Sequence, residues 1–159
     1  MVLMRRLLLA GFLIGLLPIQ SLAAEARLWI VSPDRLGDLS NCSKEAERAV
    51  ALGSAAARLV ASDALVRWAD GWFLVHGEEG SKGDPGRVLD QCFLLEVDGR
   101  AIASGAVVSR YSARLLRFPA LLIWSLGQRP LEFLLTPRYP DDTLGAIPPS
   151  WRDVLPSLR

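Results

Sequence analysis

The chain carries one imidazole, His76, and two thiols, Cys42 and Cys92. A lone histidine excludes metal centres built from several imidazoles, and any Ser-His-Asp or Cys-His mechanism must depend on that ring. A small hydrolase would need His76 together with an acid such as Asp70 or Asp90. The remaining acids do not form an obvious general-acid/base pair, because the adjacent carboxylates Glu78-Glu79 and Asp141-Asp142 diverge on an extended chain. His76 closes an apolar run of strand length, so an ordinary strand histidine is the favoured reading. No metal and no cofactor is expected. The acids Glu78, Glu79 and Asp84 match no EF-hand spacing. The glycines around them precede neither a Gly-Lys-Ser/Thr signature nor a helix, which excludes a phosphate-binding loop.

The cysteines point to a different chemistry. Catalytic dithiols are usually close in sequence, and these are 50 residues apart. An isolated pair so spaced in an oxidising compartment predicts one structural Cys42–Cys92 disulfide. The chain-entropy account gives such a loop about 4 kcal/mol.

Export is predicted from the first residues. Met1–Ala23 has Arg5 and Arg6, an 11-residue apolar run Leu7–Leu17, then Pro18 and Ser21-Leu22-Ala23. This is the three-part plan of a signal peptide, with an apolar run well short of the ~20 residues that span a bilayer. Cleavage is expected near Ala23 and the destination is the periplasm or the exterior. Residues 24–159 then form one domain, with a Pro-rich tail over 137–159. Leaving out Arg5 and Arg6, 16 basic residues face 17 acidic ones, a net charge of −1. No basic run survives in that part, so a nucleic-acid partner is not expected. The high mean hydropathy, +0.28, owes much to the leader.

The elements that position these groups follow from periodicity. Leu89–Thr136 holds apolar runs of strand length, broken at Asp98-Gly99 and at Gly127–Pro130; Asp-Gly between apolar runs is a strong hairpin signal. A two-residue loop pairs Val97 with Arg100, Leu95 with Ile102 and Phe93 with Ser104. It leaves Ala101, Ala103 and Gly105 on the face of Cys92, a small-residue face that invites a helix. Ala26–Val31 reads as a strand and Asp34–Asn41 as a loop. Lys44–Ala61 reads as an Ala-rich helix capped by Ser43, with Gly53 inside it. Asp70-Gly71 predicts a second hairpin pairing Val66 with Val75, Trp68 with Phe73 and Leu65 with His76. Ser109–Arg117 is ambiguous between a helical turn and a bent strand. Ser150–Asp153 reads as a short helix. The fold class expected is α+β: one Ala-rich helix packed on an antiparallel meander.

With no catalytic constellation evident, the expected function is non-enzymatic binding of another protein, as an inhibitor, an immunity factor or an accessory part of an envelope machine. The contact is expected at the second hairpin tip and the Gly-rich loop after it. Trp72 would be the aromatic anchor beside Asp70, with Glu78, Glu79, Lys82 and Asp84 as a polar rim.

Overall fold

The computed structural model describes residues 25–35, 37–61, 65–69, 72–76, 87–123, 132–140 and 148–155. The leader, Asp70-Gly71, the Gly-rich loop 77–86, and the turn at Gly127–Pro130 lie outside the described residues. The order is β1 (Ala26–Val31), α1 (Cys42–Ala51), β2 (Ala57–Ala61), β3 (Leu65–Ala69), β4 (Trp72–His76), β5 (Cys92–Val97), β6 (Arg100–Ser109), β7 (Ala120–Ile123), β8 (Glu132–Thr136) and α2 (Pro149–Val154). The class is α+β, with α1 packed on β5 and β6.

The strands form one sheet in the order β2-β1-β5-β6-β7-β8-β4-β3. All neighbours are antiparallel except β6 and β7, which are parallel. The expected meander is therefore broken in several places: β1 neighbours β5 and β4 neighbours β8 out of chain order, and β6 joins the parallel β7 through residues 110–119.

Closure of the sheet follows from its edges. Counting senses across the ladders, β2 and β3 run in the same direction at opposite edges. Only residues 62–64 join them, so Ala61 and Leu65 lie within about 14 Å of each other. A flat eight-stranded sheet would be about 34 Å wide. The sheet must therefore curl, and the stretch from β2 to β3 passes from one edge to the other as in a barrel. The sequence predicts an antiparallel meander and says nothing of such a curl. Spacing within strands reveals their faces but not the closure, which depends on which strands end up at the edges.

The two faces carry separate cores. One face carries Leu28, Ile30, Phe93, Leu95, Val107, Leu121, Ile123, Phe133 and Leu135, joined by Trp151 and Leu155 from the α2 end of the chain. The other carries Val31, Cys92, Leu94, Ala106, Val108, Leu122 and Leu134, with Leu39, Cys42 and Ala46 packed on them. Strict alternation of residues 92–95 and 120–123 between the two clusters is the period-two signature of strands buried on both sides. Each fully buried Leu or Phe contributes about 1.5–3 kcal/mol of transfer free energy.

The helix is shorter than its alanines suggest. It ends at Ala51, and Gly53, read as interior, takes φ +60°. The N–H of Gly53 donates to the Val50 carbonyl and that of Ser54 to the Ala49 carbonyl, at 3.0 and 2.9 Å. This is a Schellman stop, for which glycine is the preferred residue. The apolar residues beyond it, Ala57–Ala61, pair with β1 as β2. A short apolar run suits either state, and pairing with β1 decides it. The N-cap position is Asn41, not Ser43. Ser43 instead donates its hydroxyl to the Ser104 carbonyl at 2.8 Å.

The first hairpin has the predicted turn, with Asp98 at φ 49° and Gly99 at φ 72°. Val97↔Arg100 and Glu96↔Ala101 pair as expected, and then a bulge skips Ile102. Beyond it Leu95 faces Ala103, Phe93 faces Gly105 and Cys92 faces Ala106. The one-residue shift moves the helix-facing positions of β6 to Ser104 and Ala106, and Ala103 joins the opposite face. A helix does cover the Cys92 face, but the small residues beneath it differ from those expected. The second hairpin has the predicted register at Leu65↔His76, Val66↔Val75, Arg67↔Leu74 and Trp68↔Phe73. In the tail α2 forms, with Pro148 at the N-cap position.

Candidate interaction surfaces

Cys42 and Cys92 form the disulfide, with 4.9 Å between their Cα atoms and both residues wholly buried. It ties the first residue of α1 to the first residue of β5, so the helix is clamped where it meets the sheet. A buried disulfide of this kind belongs to an oxidising, extracytoplasmic environment. Among the described residues no helix is long and apolar enough to cross a membrane.

Of the residues expected to form a binding site, the structure describes only Trp72, the first residue of β4, which stands opposite Ala69. Asp70, Glu78, Glu79, Lys82 and Asp84 lie outside the described residues, so their arrangement is not seen. His76 closes β4, opposite Leu65 on one side and Glu132 on the other. Asp90 belongs to the turn before β5, at φ 57°, and its N–H donates to the Val107 carbonyl of β6. Strands β7 and β8 lie between β6 and β4 in the sheet order. The Asp90 carboxylate pairs with the Arg114 guanidinium at 3.3 Å. Asp90 is thus occupied by an ion pair of its own.

Other carboxylates also serve the scaffold. Glu96 accepts from the Trp29 indole N–H at 2.7 Å, and Glu47 accepts from the Ser104 hydroxyl at 2.7 Å. The Asp98 carboxylate accepts from the Glu25 main-chain N–H, and Glu45 from that of Asp34. Asp38 accepts from both the hydroxyl and the N–H of Ser40, and that hydroxyl bond above all holds its carboxyl below the usual aspartate range. Glu25 pairs with Arg27 at 2.9 Å, and the hydrogen bond raises the guanidinium above its ordinary value. No group of three or more His, Cys, Asp or Glu that could hold a metal is present among the described residues.

A surface missed in the sequence is the crossover from β6 to β7. Its backbone is fixed at several points. Leu116 and Tyr139 exchange main-chain hydrogen bonds, and the Tyr139 hydroxyl is within 2.7 Å of the Arg110 carbonyl and 3.0 Å of the Ser112 carbonyl. Arg114 donates to the Gly37 carbonyl at 3.0 Å while holding Asp90, and so spans two other loops. From this frame Tyr111 and Leu115 project, 70% and 81% exposed. The Arg110 guanidinium lies over the Tyr111 ring, 4.6 Å from its centroid, and also bonds the Tyr111 hydroxyl. The available signal was three arginines and no acid in Ser109–Phe118, with Tyr and Leu between them. Ambiguity in the secondary structure of Ser109–Arg117 hid it.

Two shallow grooves lie elsewhere. One, of about 250 Å³, runs between α1 and the start of β2, beside Asp34, Glu45, Arg48 and Leu52. The other, about 390 Å³, lies at Arg58, Arg87 and Gln91. Both mix charges of the two signs or neutral polar groups with alanines, and neither gathers a nucleophile, a base and an acid. No protein-family model, curated protein or solved structure matches this chain.

Proposed function

We propose that this chain is an exported, non-enzymatic protein that acts by binding another protein, as an inhibitor, an immunity factor or an accessory part of an envelope machine. The observation that carries this reading is how the described carboxylates are used. Asp38, Glu45, Glu47, Asp90, Glu96 and Asp98 hold main-chain N–H groups, hydroxyls, an indole or a guanidinium in place. Acids so engaged serve a scaffold, whereas catalysis needs acids that converge on a substrate. The buried disulfide supports export, since such bonds persist outside the cytoplasm. The leader-like Met1–Ala23 agrees with it.

The contact is proposed at Trp72 with Asp70, Glu78, Glu79, Lys82 and Asp84. A tryptophan following an Asp-Gly turn is hard for its own sheet to cover, and an aromatic ringed by charge suits a binding anchor. The test is partner recovery from periplasmic extract by wild type and by Trp72→Ala. Loss of a specific partner at unchanged Tm supports the anchor. Retained capture with a lowered Tm makes Trp72 a packing residue and overturns this site.

A further inference from the structure

Arg58 and Arg87 line one groove, of about 390 Å³, and among the described residues neither guanidinium has a hydrogen bond or an ion pair. We propose that this groove binds a small multivalent oxyanion, a phosphate or a dicarboxylate, with both arginines and the Gln91 amide as donors.

Register brings these groups together. The β1 pairings set Ile30 opposite Arg58 on β2 and opposite Phe93 on β5. Ser32 follows Ile30 by two residues and Gln91 precedes Phe93 by two, so the strand period puts both on the face that carries Arg58. The Ser32 N–H donates to the Ala56 carbonyl at 3.2 Å, and the Gln91 carbonyl accepts from the Val107 N–H at 2.8 Å. Arg87 precedes Val88, which is 2% exposed and belongs to the core on the same face. The donors therefore stand on ordered main chain, and binding needs little further ordering of it.

Charge is the second argument. Asp90, next to Gln91, pairs with Arg114, and Asp34, two residues after Ser32, lines the other groove. Among the described residues no acid lines this one. Asp63, Glu78, Glu79 and Asp84 lie outside the described residues, and no charge is counted for them. The chain from Ala24 has a net charge of −1, so anions are not drawn to the molecule as a whole.

Chemistry is the third. A guanidinium presents paired N–H donors that match carboxylate or phosphate oxygens two at a time, and it stays charged at physiological pH. Beside the arginines, Ile30 and Ala56 make an apolar lining, against which a charge-assisted hydrogen bond meets less competition from water. Two cations in one groove favour a doubly charged ligand over a monoanion. The volume is at the small end for ligand sites, which run from about 300 to 1,000 Å³.

The test is isothermal titration calorimetry with phosphate, pyrophosphate and succinate, at an ionic strength held constant with sodium chloride. The protein is purified from cells that express the whole chain. The expected result is saturable binding of at least one of the three. Arg58→Gln and Arg87→Gln should each weaken it about tenfold, as loss of a charge-assisted hydrogen bond does. Tm should not move, because neither guanidinium holds another described part of the protein. Arg100→Gln, at an exposed arginine where β6 begins, should leave binding unchanged. Binding of the phosphates alone makes the ligand a phosphoryl compound, and binding of succinate alone makes it a dicarboxylate; either upholds the site. Absence of saturable binding overturns the proposal, and leaves Arg58 as a charge that guards the edge strand β2 against pairing. Binding that Arg58→Gln and Arg87→Gln leave intact, or that Arg100→Gln weakens equally, also overturns it. None of these readouts uses the partner of Trp72, so this site and the proposed protein contact fail separately.

Discussion

The indole N–H of Trp151 donates to the main-chain carbonyl of Ile102 at 2.9 Å. Ile102 is the residue skipped by the β5–β6 bulge, so a bulge in the sheet is tied to the helix from the end of the chain. Trp151 is 2% exposed, and its ring joins the core cluster on the face opposite α1. Trp151→Phe keeps most of the apolar volume and removes the donor. It should destabilise by about 1–3 kcal/mol, the usual cost of an unpaired buried carbonyl. Trp151→Ala should cost more, about 3–5 kcal/mol. Urea denaturation separates the two, and a Trp151→Phe variant as stable as wild type would mean that the hydrogen bond contributes nothing.

The disulfide gives a prediction about access as well as stability. Both cysteines are wholly buried, so native protein should resist reductant until it opens. Mass spectrometry after alkylation should show no free thiol without reductant, and two once the protein is reduced and unfolded. Replacing both cysteines with Ser should cost about 2–5 kcal/mol.

Gly53→Ala distinguishes two descriptions of the α1 region. Inside a helix, alanine in place of glycine stabilises by about 1 kcal/mol. At φ +60° the sign reverses, and a loss of about 1 kcal/mol is expected. Thermal melts of the variant read the sign directly.

Gly105→Ala should be far more damaging. A Cβ there would lie 1.7 Å from the Pro119 carbonyl oxygen, and that oxygen also accepts from the Ala106 N–H. The crossover would have to move off β6, weakening the parallel β6–β7 pairing. Loss of cooperative melting is expected. Leu115→Ala, at an exposed side chain of the same crossover, serves as the control.

Asp38 gives a small pH effect of defined sign. Its carboxyl is held below the ordinary aspartate value, chiefly by the Ser40 hydroxyl and next by the Ser40 N–H. An acid with a lowered folded pKa adds stability that is complete above the unfolded value. That stability disappears as pH falls through the folded one. Ser40→Ala should therefore lower Tm slightly at neutral pH and not at all at the acid end of that window. A difference that persists unchanged in acid would assign the effect to packing.

The residues themselves determined much of the local structure. Period-two alternation and two Asp-Gly turns sufficed for β1, the β3–β4 register and the first two pairs of the β5–β6 hairpin, because these depend on neighbours in sequence. The disulfide was legible from cysteine count and spacing alone. Tertiary structure decided the rest. Ala57–Ala61 became a strand because β1 offered it an edge, while Gly53 ended the helix in a left-handed conformation. The bulge at Ile102 shifted the register beyond it, and its carbonyl is satisfied by Trp151, 49 residues away. Curling of the sheet depends on which strands form its edges. Tyr111 and Leu115 stand out because Tyr139 and Arg114, distant in sequence, fix the backbone that displays them. Periodicity carries information over a few residues, whereas edge pairing, bulge satisfaction and loop anchoring are set by groups brought together only by folding.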